Sequence, residues 1–302
     1  MVNASALNER FALKGQLDFQ EGPNGVVHAE VRNQHASASI SVQGAQVIRW
    51  APTNEKPVIW LSKAASFVPG KSVRGGVPVC WPWFGPHATE PKFPGHGYAR
   101  TIEWDVISSK ALDDGRTQLV FRLRENDASR GMWPHQTPVE CHITVGDTLE
   151  IELVTMNADV PMVTITEALH TYFEVGDIGK VQILGLEDTE FLDKVDGGQR
   201  KIQHGPVTIA GEVDRVYLDT RAECVIDDPV LQRKIHISKR GSDSTVVWNP
   251  WEAKASKMGD LGEEGYRHMV CVESGNAAEN IVALAPGESH SLWVSYRVER
   301  AS

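Results

Sequence analysis

The chain has 302 residues, of which 41% are hydrophobic and 23% charged, and this balance is typical of a soluble globular protein rather than a disordered one. Its formal net charge of −10 argues against nucleic-acid binding, because a protein that neutralises a phosphate backbone needs a basic face. Since no apolar run approaches the ~20 residues of a membrane helix and the N-terminal segment lacks the features of a secretory signal, we expect a cytoplasmic protein with no membrane partner.

Alternation of apolar and polar residues recurs along the whole chain and predicts β-strands. In chain order, clear examples are residues 26–31, 118–123, 149–154 and 291–296. Clusters of Gly, Asp, Asn and Pro separate such runs and predict the turns of antiparallel hairpins. These clusters lie at residues 23–25, 113–115, 145–147, 196–198 and 285–287.

One segment has the signals of a helix. Asn249 as the N-cap, Pro250 at the first helical position and Gly259 as a stop predict a short helix over residues 251–258. No βαβ rhythm, internal repeat or linker divides the chain. The sequence therefore predicts one all-β domain over residues 1–302, a sandwich of many mostly antiparallel strands with few short helices.

The four cysteines lie far apart in apolar, strand-like sequence and form no Cys-x-x-Cys pair: Cys80, Cys141, Cys224 and Cys271. We expect buried free thiols. The histidines likewise form no His-x-His, His-x-x-x-His or His-Glu-x-x-His pair, so no metal site is predicted.

The first candidate site segment spans residues 73–100 and is dense in Gly, Pro and aromatic residues. Trp81 and Phe84 supply flat apolar faces of the kind on which the C–H surfaces of sugars stack. Arg74 and Arg100 carry planar guanidinium groups suited to a phosphate dianion. Taken singly, each aromatic residue could equally belong to the core and each arginine to the surface.

The second candidate segment, residues 164–175, carries His170 in a strand-like context. A lone histidine in a strand is more often structural than catalytic. Asp193 follows downstream and could hydrogen-bond sugar hydroxyls, although on its own it reads as a loop aspartate.

The third candidate segment joins residues 245–251, which include Trp248, to the apolar run at 269–276. Glu273 interrupts that apolar run. Because side chains alternate along a strand, Glu273 and Cys271 face one way if the valines between and before them face the other. A carboxylate in an apolar strand indicates either a buried partner or a solvent-filled concavity.

Five segments, taken in order, resemble motifs of the hexose-6-phosphate mutarotases, also called glucose-6-phosphate 1-epimerases, within the aldose 1-epimerase superfamily. They extend over nearly the whole chain and are residues 74–78 with 81–85, 95–100, 168–173, 248–250 and 270–273. The resemblance implies a galactose-mutarotase-like β-supersandwich whose concave face holds the sugar.

The resemblance also implies roles for individual residues. The family's catalytic histidine falls on His170 and its catalytic carboxylate on Glu273, whereas its pocket histidine and two arginines fall on His96, Arg100 and Arg74. These assignments make His170 the acid and Glu273 the base of a proton-transfer reaction.

Further binding residues follow from shorter matches. Asp193 matches the family's sugar-contacting aspartate, and Trp81, Phe84 and Trp248 are expected to line the sugar site. The chain departs from the family pattern at Ser274, where relatives often have proline, with no evident consequence for the chemistry.

The implied function is interconversion of the α and β anomers of a hexose 6-phosphate, with glucose 6-phosphate as the first candidate, by a monomer that uses no cofactor and no metal. A mutarotase for unphosphorylated aldoses is one alternative, and a noncatalytic carbohydrate-binding or sensor protein is another. The paired arginines favour a phosphorylated substrate over the first alternative. The acid and base favour an enzyme over the second.

Overall fold

The computed structural model describes residues 3–301, and its regular structure is mostly antiparallel β-sheet. The α-helices are α1 (Ala4–Phe11), α2 (Asp127–Met132) and α3 (Trp251–Ala255). None of these helices is long and apolar enough to cross a membrane. The all-β prediction is confirmed.

The strands include all four of those exemplified from the sequence pattern, and the longest connections between strands precede and follow β5. In chain order they are β1 (Leu17–Glu21), β2 (Val27–Arg32), β3 (Ala36–Ser41), β4 (Gln46–Pro52), β5 (Val79–Cys80), β6 (Trp104–Ala111), β7 (Thr117–Leu123), β8 (Val139–Val145), β9 (Thr148–Met156), β10 (Val163–Ile165), β11 (Glu167–Leu169), β12 (Tyr172–Glu174), β13 (Gln182–Leu184), β14 (Glu190–Asp193), β15 (Gln199–Ile202), β16 (Val207–Thr208), β17 (Val213–Tyr217), β18 (Cys224–Asp228), β19 (Arg233–Arg240), β20 (Ser244–Asn249), β21 (Met269–Asn276), β22 (Val282–Leu284) and β23 (Ser289–Arg300).

Two large sheets dominate the architecture. One has nine strands in the order β16-β13-β18-β19-β23-β9-β8-β7-β6. The other has the order β15-β14-β17-β20-β21-β11-β5, with β12 also paired to β21. Smaller sheets of four strands (β1-β2-β3-β4) and two strands (β10-β22) complete the described residues.

The two large sheets share one hydrophobic core. Val270 and Val272 of β21 pack in the same apolar cluster as Leu292 and Val294 of β23. Removing such side chains from water is the main stabilising term for a sandwich of this kind. That residues 1–302 form one domain stays a prediction, which the extent of this shared core supports.

The opposite face of β21 carries the alternate residues, as the strand pattern predicted. Cys271 lies in a separate apolar cluster with Trp60, Tyr172 and Trp248, on the side of the sheet away from the shared core. Glu273 follows it on the same face by strand alternation. The predicted free, buried thiols are also confirmed for all four cysteines.

The helix predicted after Asn249 is shorter than expected, because α3 spans only Trp251–Ala255. Asn249 is the buried last residue of β20 rather than an N-cap. Its Nδ2 donates to the carbonyl oxygens of Tyr266 and Met269 at 2.8 and 2.9 Å, while its Oδ1 accepts from the Trp251 N–H. The side chain thus ties the following loop to the strand.

A buried ionic contact fixes the neighbouring strands β11 and β21. Glu167 of β11 is fully buried, and its Oε1 lies 2.9 Å from His290 Nε2 and accepts from Asn276 Nδ2 of β21. Burial alone would lower the pKa of His290, but the hydrogen bond and the negative charge of Glu167 together outweigh it and raise the pKa.

We expect His290→Ala to lower the free energy of unfolding by about 1–3 kcal/mol in mildly acidic solution, because Glu167 then stays buried without its cationic partner. The pKa of His290 is raised above 6.5 on folding. The stabilisation is therefore fully present below the unfolded pKa and is lost as the pH rises through the folded one. Urea unfolding of both proteins across this window, beside the exposed control His204→Ala, measures the effect; a difference that does not shrink with rising pH contradicts it.

Candidate active site

His170 and Glu273 face each other across neighbouring strands. His170 lies at a break between β11 and β12, and both of these strands pair with β21. Leu169 pairs with Ser274 before the break, and β12 continues in the same register after it, so His170 stands opposite Glu273. Directly opposed residues of antiparallel strands bring their side chains together. His170 Nδ1 and Glu273 Oε1 are 3.3 Å apart.

Burial controls the protonation of this pair. The Glu273 side chain is 1% exposed and the His170 side chain 11%. Burial, together with the positive charge of Arg100, holds the pKa of His170 well below its usual range. Burial and the Asp214 charge raise the pKa of Glu273, which Arg100 opposes. Both groups therefore favour their uncharged forms, and at 3.3 Å they are in contact without hydrogen-bond alignment.

A cleft of about 550 Å³ opens over the pair, and its volume is that of a small-molecule site. Its wall combines aromatic rings, four cationic side chains and three carboxylic acids besides the imidazoles. The lining includes Arg74, Phe84, His96, Arg100, His170, Tyr172, Lys194, Asp214, Trp248, Lys254, Asp260 and Glu273. The cations stand out because the whole chain is acidic.

Arg74 is joined to His170 through Tyr172. The Arg74 Nη1 donates to the Tyr172 hydroxyl at 3.0 Å, and its Nε pairs with Asp260 at 3.2 Å. Burial opposes the positive charge of Arg74, but Tyr172 and Asp260 outweigh it and raise the pKa. The Tyr172 ring stacks on the His170 imidazole with centroids 5.0 Å apart and planes 10° apart, which fixes the imidazole plane.

His96 lines the cleft beside His170 and is held in its neutral form. Its backbone has a φ of +64°, its N–H donates to the Gly85 carbonyl, and its Nδ1 accepts from the Gly85 N–H. The ring proton is thereby placed on Nε2. Burial, then Arg100 and Arg74, lower the pKa of His96 to about 4. The imidazole packs 5.6 Å from that of His170 as a neutral polar group.

Arg100 supplies a guanidinium group without a carboxylate partner. Its Nη2 donates to the Gly95 carbonyl at 2.9 Å, while its buried Nε has no hydrogen-bond partner among residues 3–301. No ion pair involves Arg100 in that part of the chain. A half-buried guanidinium without a carboxylate partner on a cleft wall is suited to an anion.

The structure brings most of the predicted site residues into the cleft and leaves two of them out. Those that line it are Arg74, Phe84, His96, Arg100, His170, Trp248 and Glu273. The prediction for Trp81 is wrong, because its side chain is 0% exposed and packs edge-on against Tyr98 and Trp133. Its ring has no free face for a ligand.

Asp193 also lies outside the cleft lining. Its carboxylate binds the Lys201 Nζ at 2.8 Å and accepts from backbone N–H groups of its own turn. The neighbouring Lys194 lines the cleft instead, together with Asp214, whose carbonyl accepts from the Lys194 N–H. The change of face between consecutive residues explains the difference, since side chains alternate along a strand.

Five ionisable residues of the lining were not predicted as site residues: Tyr172, Lys194, Asp214, Lys254 and Asp260. A signal existed for Asp214, which is an acidic residue within the short strand β17, much as Glu273 is in β21. Burial raises the pKa of Asp214, and Lys254 opposes that shift. The lysines and Asp260 lie in or beside loops and carry no comparable signal.

Fold and site together define a β-sandwich with a buried histidine–glutamate pair in a cation-lined cleft. The family model described as aldose 1-epimerase matches residues 28–297. The chain therefore belongs to the aldose 1-epimerase family.

Similar proteins include one from Escherichia coli K12, which is 40% identical over 250 residues, or 82% of this chain and 83% of that protein. A protein from Cenchrus ciliaris is 33% identical over 282 residues, or 88% of this chain and 83% of that protein. Both carry the provisional name glucose-6-phosphate 1-epimerase.

Solved structures agree with the family assignment. A Salmonella typhimurium protein, YeaD, provisionally described as a mutarotase, has a TM-score of 0.89 and 35% identity over 96% of each chain. A galactose mutarotase-like protein from Clostridium acetobutylicum has a TM-score of 0.71 at 15% identity, covering 94% of this chain and 98% of that one, and shares the fold. The predicted galactose-mutarotase-like sandwich is confirmed.

The loop that carries His96 and Arg100 depends on Gly97. Its φ is +71°, and a Cβ there would lie 1.9 Å from the Trp81 carbonyl oxygen, whereas a Cβ on Gly95 would meet nothing closer than 3.8 Å. We expect Gly97→Ala to lower the free energy of unfolding by more than about 2 kcal/mol. The matched control Gly95→Ala should change it by less than about 1 kcal/mol. Equal values in urea unfolding would contradict the role given to Gly97.

Proposed function

We propose that this protein interconverts the α and β anomers of a hexose 6-phosphate, with glucose 6-phosphate as the first candidate. Family membership and the provisional names of the relatives from E. coli and C. ciliaris support the reaction. The observation that carries the proposal is the 3.3 Å contact between His170 and Glu273 in a cleft that also presents Arg100, which has no carboxylate partner among residues 3–301.

Anomer exchange needs two proton transfers. The C1 hydroxyl loses a proton while the ring oxygen gains one, the C1–O5 bond breaks, C1 turns relative to C2, and the ring closes on the other face of the carbonyl. One group that accepts and one that donates therefore suffice for opening. The same two groups exchange roles on closure, so the enzyme returns to its starting state without any change of oxidation state.

Glu273 is the base and His170 the acid in this proposal. Their contact lets the pair hold one proton between them, so one sugar bound across both groups meets a donor and an acceptor together. Arg100 favours the carboxylate form of Glu273, because its charge opposes the rise in the pKa of Glu273 that burial and Asp214 cause. Tyr172, stacked on the imidazole, keeps His170 aimed at the sugar.

The phosphate of the substrate lies far from C1, and its role is to orient the ring. Arg74 and Arg100 offer planar donors for phosphate oxygens, and Arg74 is already held in place by Tyr172 and Asp260. Because such remote binding energy positions the reacting atoms, it contributes to turnover as well as affinity. The unpaired Arg100 favours a phosphorylated sugar over a free aldose.

Removing either proton-transfer group should abolish most of the activity while the fold is kept. We expect His170→Ala and Glu273→Gln each to lower kcat by about 10²–10⁴-fold, the usual contribution of a general acid or base. Exchange NMR on equilibrated glucose 6-phosphate measures the rate, and circular dichroism checks the fold.

The control for these variants is Glu150→Gln, which removes a carboxylate that pairs with Arg116 on the nine-stranded sheet. It should turn over like the wild type. A folded His170→Ala or Glu273→Gln variant with near-normal exchange rates would refute the assignment.

The arginines should discriminate between phosphorylated and free sugar. We expect Arg100→Ala and Arg74→Ala to raise the KM for glucose 6-phosphate at least about tenfold, the loss of a charge-assisted contact, with a much smaller effect on free glucose. Arg130→Ala, which removes a half-exposed arginine of α2, is the matched control. Equal effects on both sugars would argue against a phosphate role.

A further inference from the structure

Cys271 adds a third potential metal ligand beside the acid–base pair. His170, Cys271 and Glu273 each present one ligand atom, and these atoms lie within 4.8 Å of one another. Within residues 3–301 this is the one such group of three. The metal-ligand motifs sought in the sequence place two ligands on the same helix or strand. They could not reveal this group, because Cys271 and Glu273 lie on β21 and His170 lies at the break between β11 and β12.

The separations are close to those of a tetrahedral zinc site. With Zn–N and Zn–O bonds of about 2.1 Å, two ligand atoms in tetrahedral geometry lie about 3.4 Å apart. His170 Nδ1 and Glu273 Oε1 already lie at 3.3 Å. The Cys271 sulfur, at most 4.8 Å away, needs to move by only about 1 Å to reach bonding distance, which a small side-chain rotation allows.

Two of the ligands have unused lone pairs. Over the described chain, His170 Nδ1 and Glu273 Oε2 have no hydrogen-bond partner although both are buried. Buried polar atoms are nearly always satisfied, and an exception at a cleft points to a ligand. Because His170 and Glu273 line the cleft, a cation can reach them from solvent.

The charge of the three ligand side chains and the softness of the sulfur indicate which kind of cation the site would bind. A thiolate and a carboxylate together neutralise one dication, so the occupied site carries no net charge, and a neutral buried unit avoids the desolvation of an isolated ion. Nearby Asp214 adds further negative potential at Glu273, against the opposing charge of Arg100. Sulfur and imidazole ligands favour Zn²⁺ over Mg²⁺, which prefers oxygen ligands in octahedral geometry.

We propose that His170, Cys271 and Glu273 bind a thiophilic dication such as Zn²⁺, and that this binding inhibits the enzyme. The metal takes the His170 Nδ1 lone pair and a carboxylate oxygen of Glu273, and both the Cys271 thiol and the Glu273 carboxylic acid release their protons to solvent as it binds. The occupied pair can then neither accept nor donate a proton. Binding itself does not depend on the proposed function.

Co²⁺ titration of the untagged protein tests the binding. We expect a thiolate-to-metal charge-transfer band in the near ultraviolet that saturates at one Co²⁺ per chain, is displaced by Zn²⁺ and is unaffected by Mg²⁺. Cys271→Ser should lose the band, and Cys141→Ser, which alters a buried cysteine of β8 in the other large sheet, should keep it. Thermal melts confirm that both variants fold. A band that persists in folded Cys271→Ser, or one absent from the wild type, overturns the proposal.

Zn²⁺ inhibition separates this inference from the proposed function. Relative to the metal-free activity of each protein, half-inhibition of Cys271→Ser should need roughly tenfold more Zn²⁺ or higher than the wild type, because a thiolate is lost from the site. Cys141→Ser should match the wild type. An inactive protein that still binds Co²⁺ through Cys271 would refute the mutarotase activity alone, and an active one equally inhibited with and without Cys271 would refute the metal site alone.

Discussion

The burial of two ionisable side chains against each other is the constraint on which the site depends. His170 and Glu273 occupy one face of a sheet whose other face packs into the shared core, so neither group can keep a full water shell. An isolated buried charge is costly, and both groups avoid that cost because burial shifts their pKa values toward the uncharged forms. The ladder of β20, β21 and β11 must therefore hold its register, because a slip of one residue would turn Glu273 into the core.

The rest of the site follows from keeping this pair rigid. Glu167 and Asn276 join β11 to β21 three residues along the ladder from the pair. Asn249 holds the loop that follows β20 by a hydrogen bond to Tyr266. Tyr172 then serves two purposes, since its ring fixes the imidazole and its hydroxyl fixes Arg74. A chain with a net charge of −10 can thus hold a local cationic wall, because each guanidinium is placed by specific partners.

The strands, the buried thiols and most of the site were predictable because they depend on local pattern or on motifs. Alternation alone placed Cys271 and Glu273 on one face. Trp81 could not be assigned correctly, since an aromatic residue among Gly and Pro has the same sequence signature in a core as on a pocket wall. Asp193 was predicted from a short motif match, and Asp214 was not named, because composition near a turn does not reveal which face of the sheet a side chain occupies. The contributions of Lys194 and Asp260 depend on long-range packing, which no local pattern encodes.

Under the proposed function, the electrostatics also favour a phosphorylated sugar over a free one. Besides burial, the charges of Arg100 and Arg74 lower the pKa of His170 and so oppose the imidazolium form that an acid needs. A phosphate dianion held by those arginines would offset their charge and so raise the pKa of His170, while the larger effect of burial remains. The group that positions the sugar would then also make the acid competent. An unphosphorylated aldose brings no such charge, so it would leave His170 neutral even when its C1 hydroxyl is well placed beside Glu273.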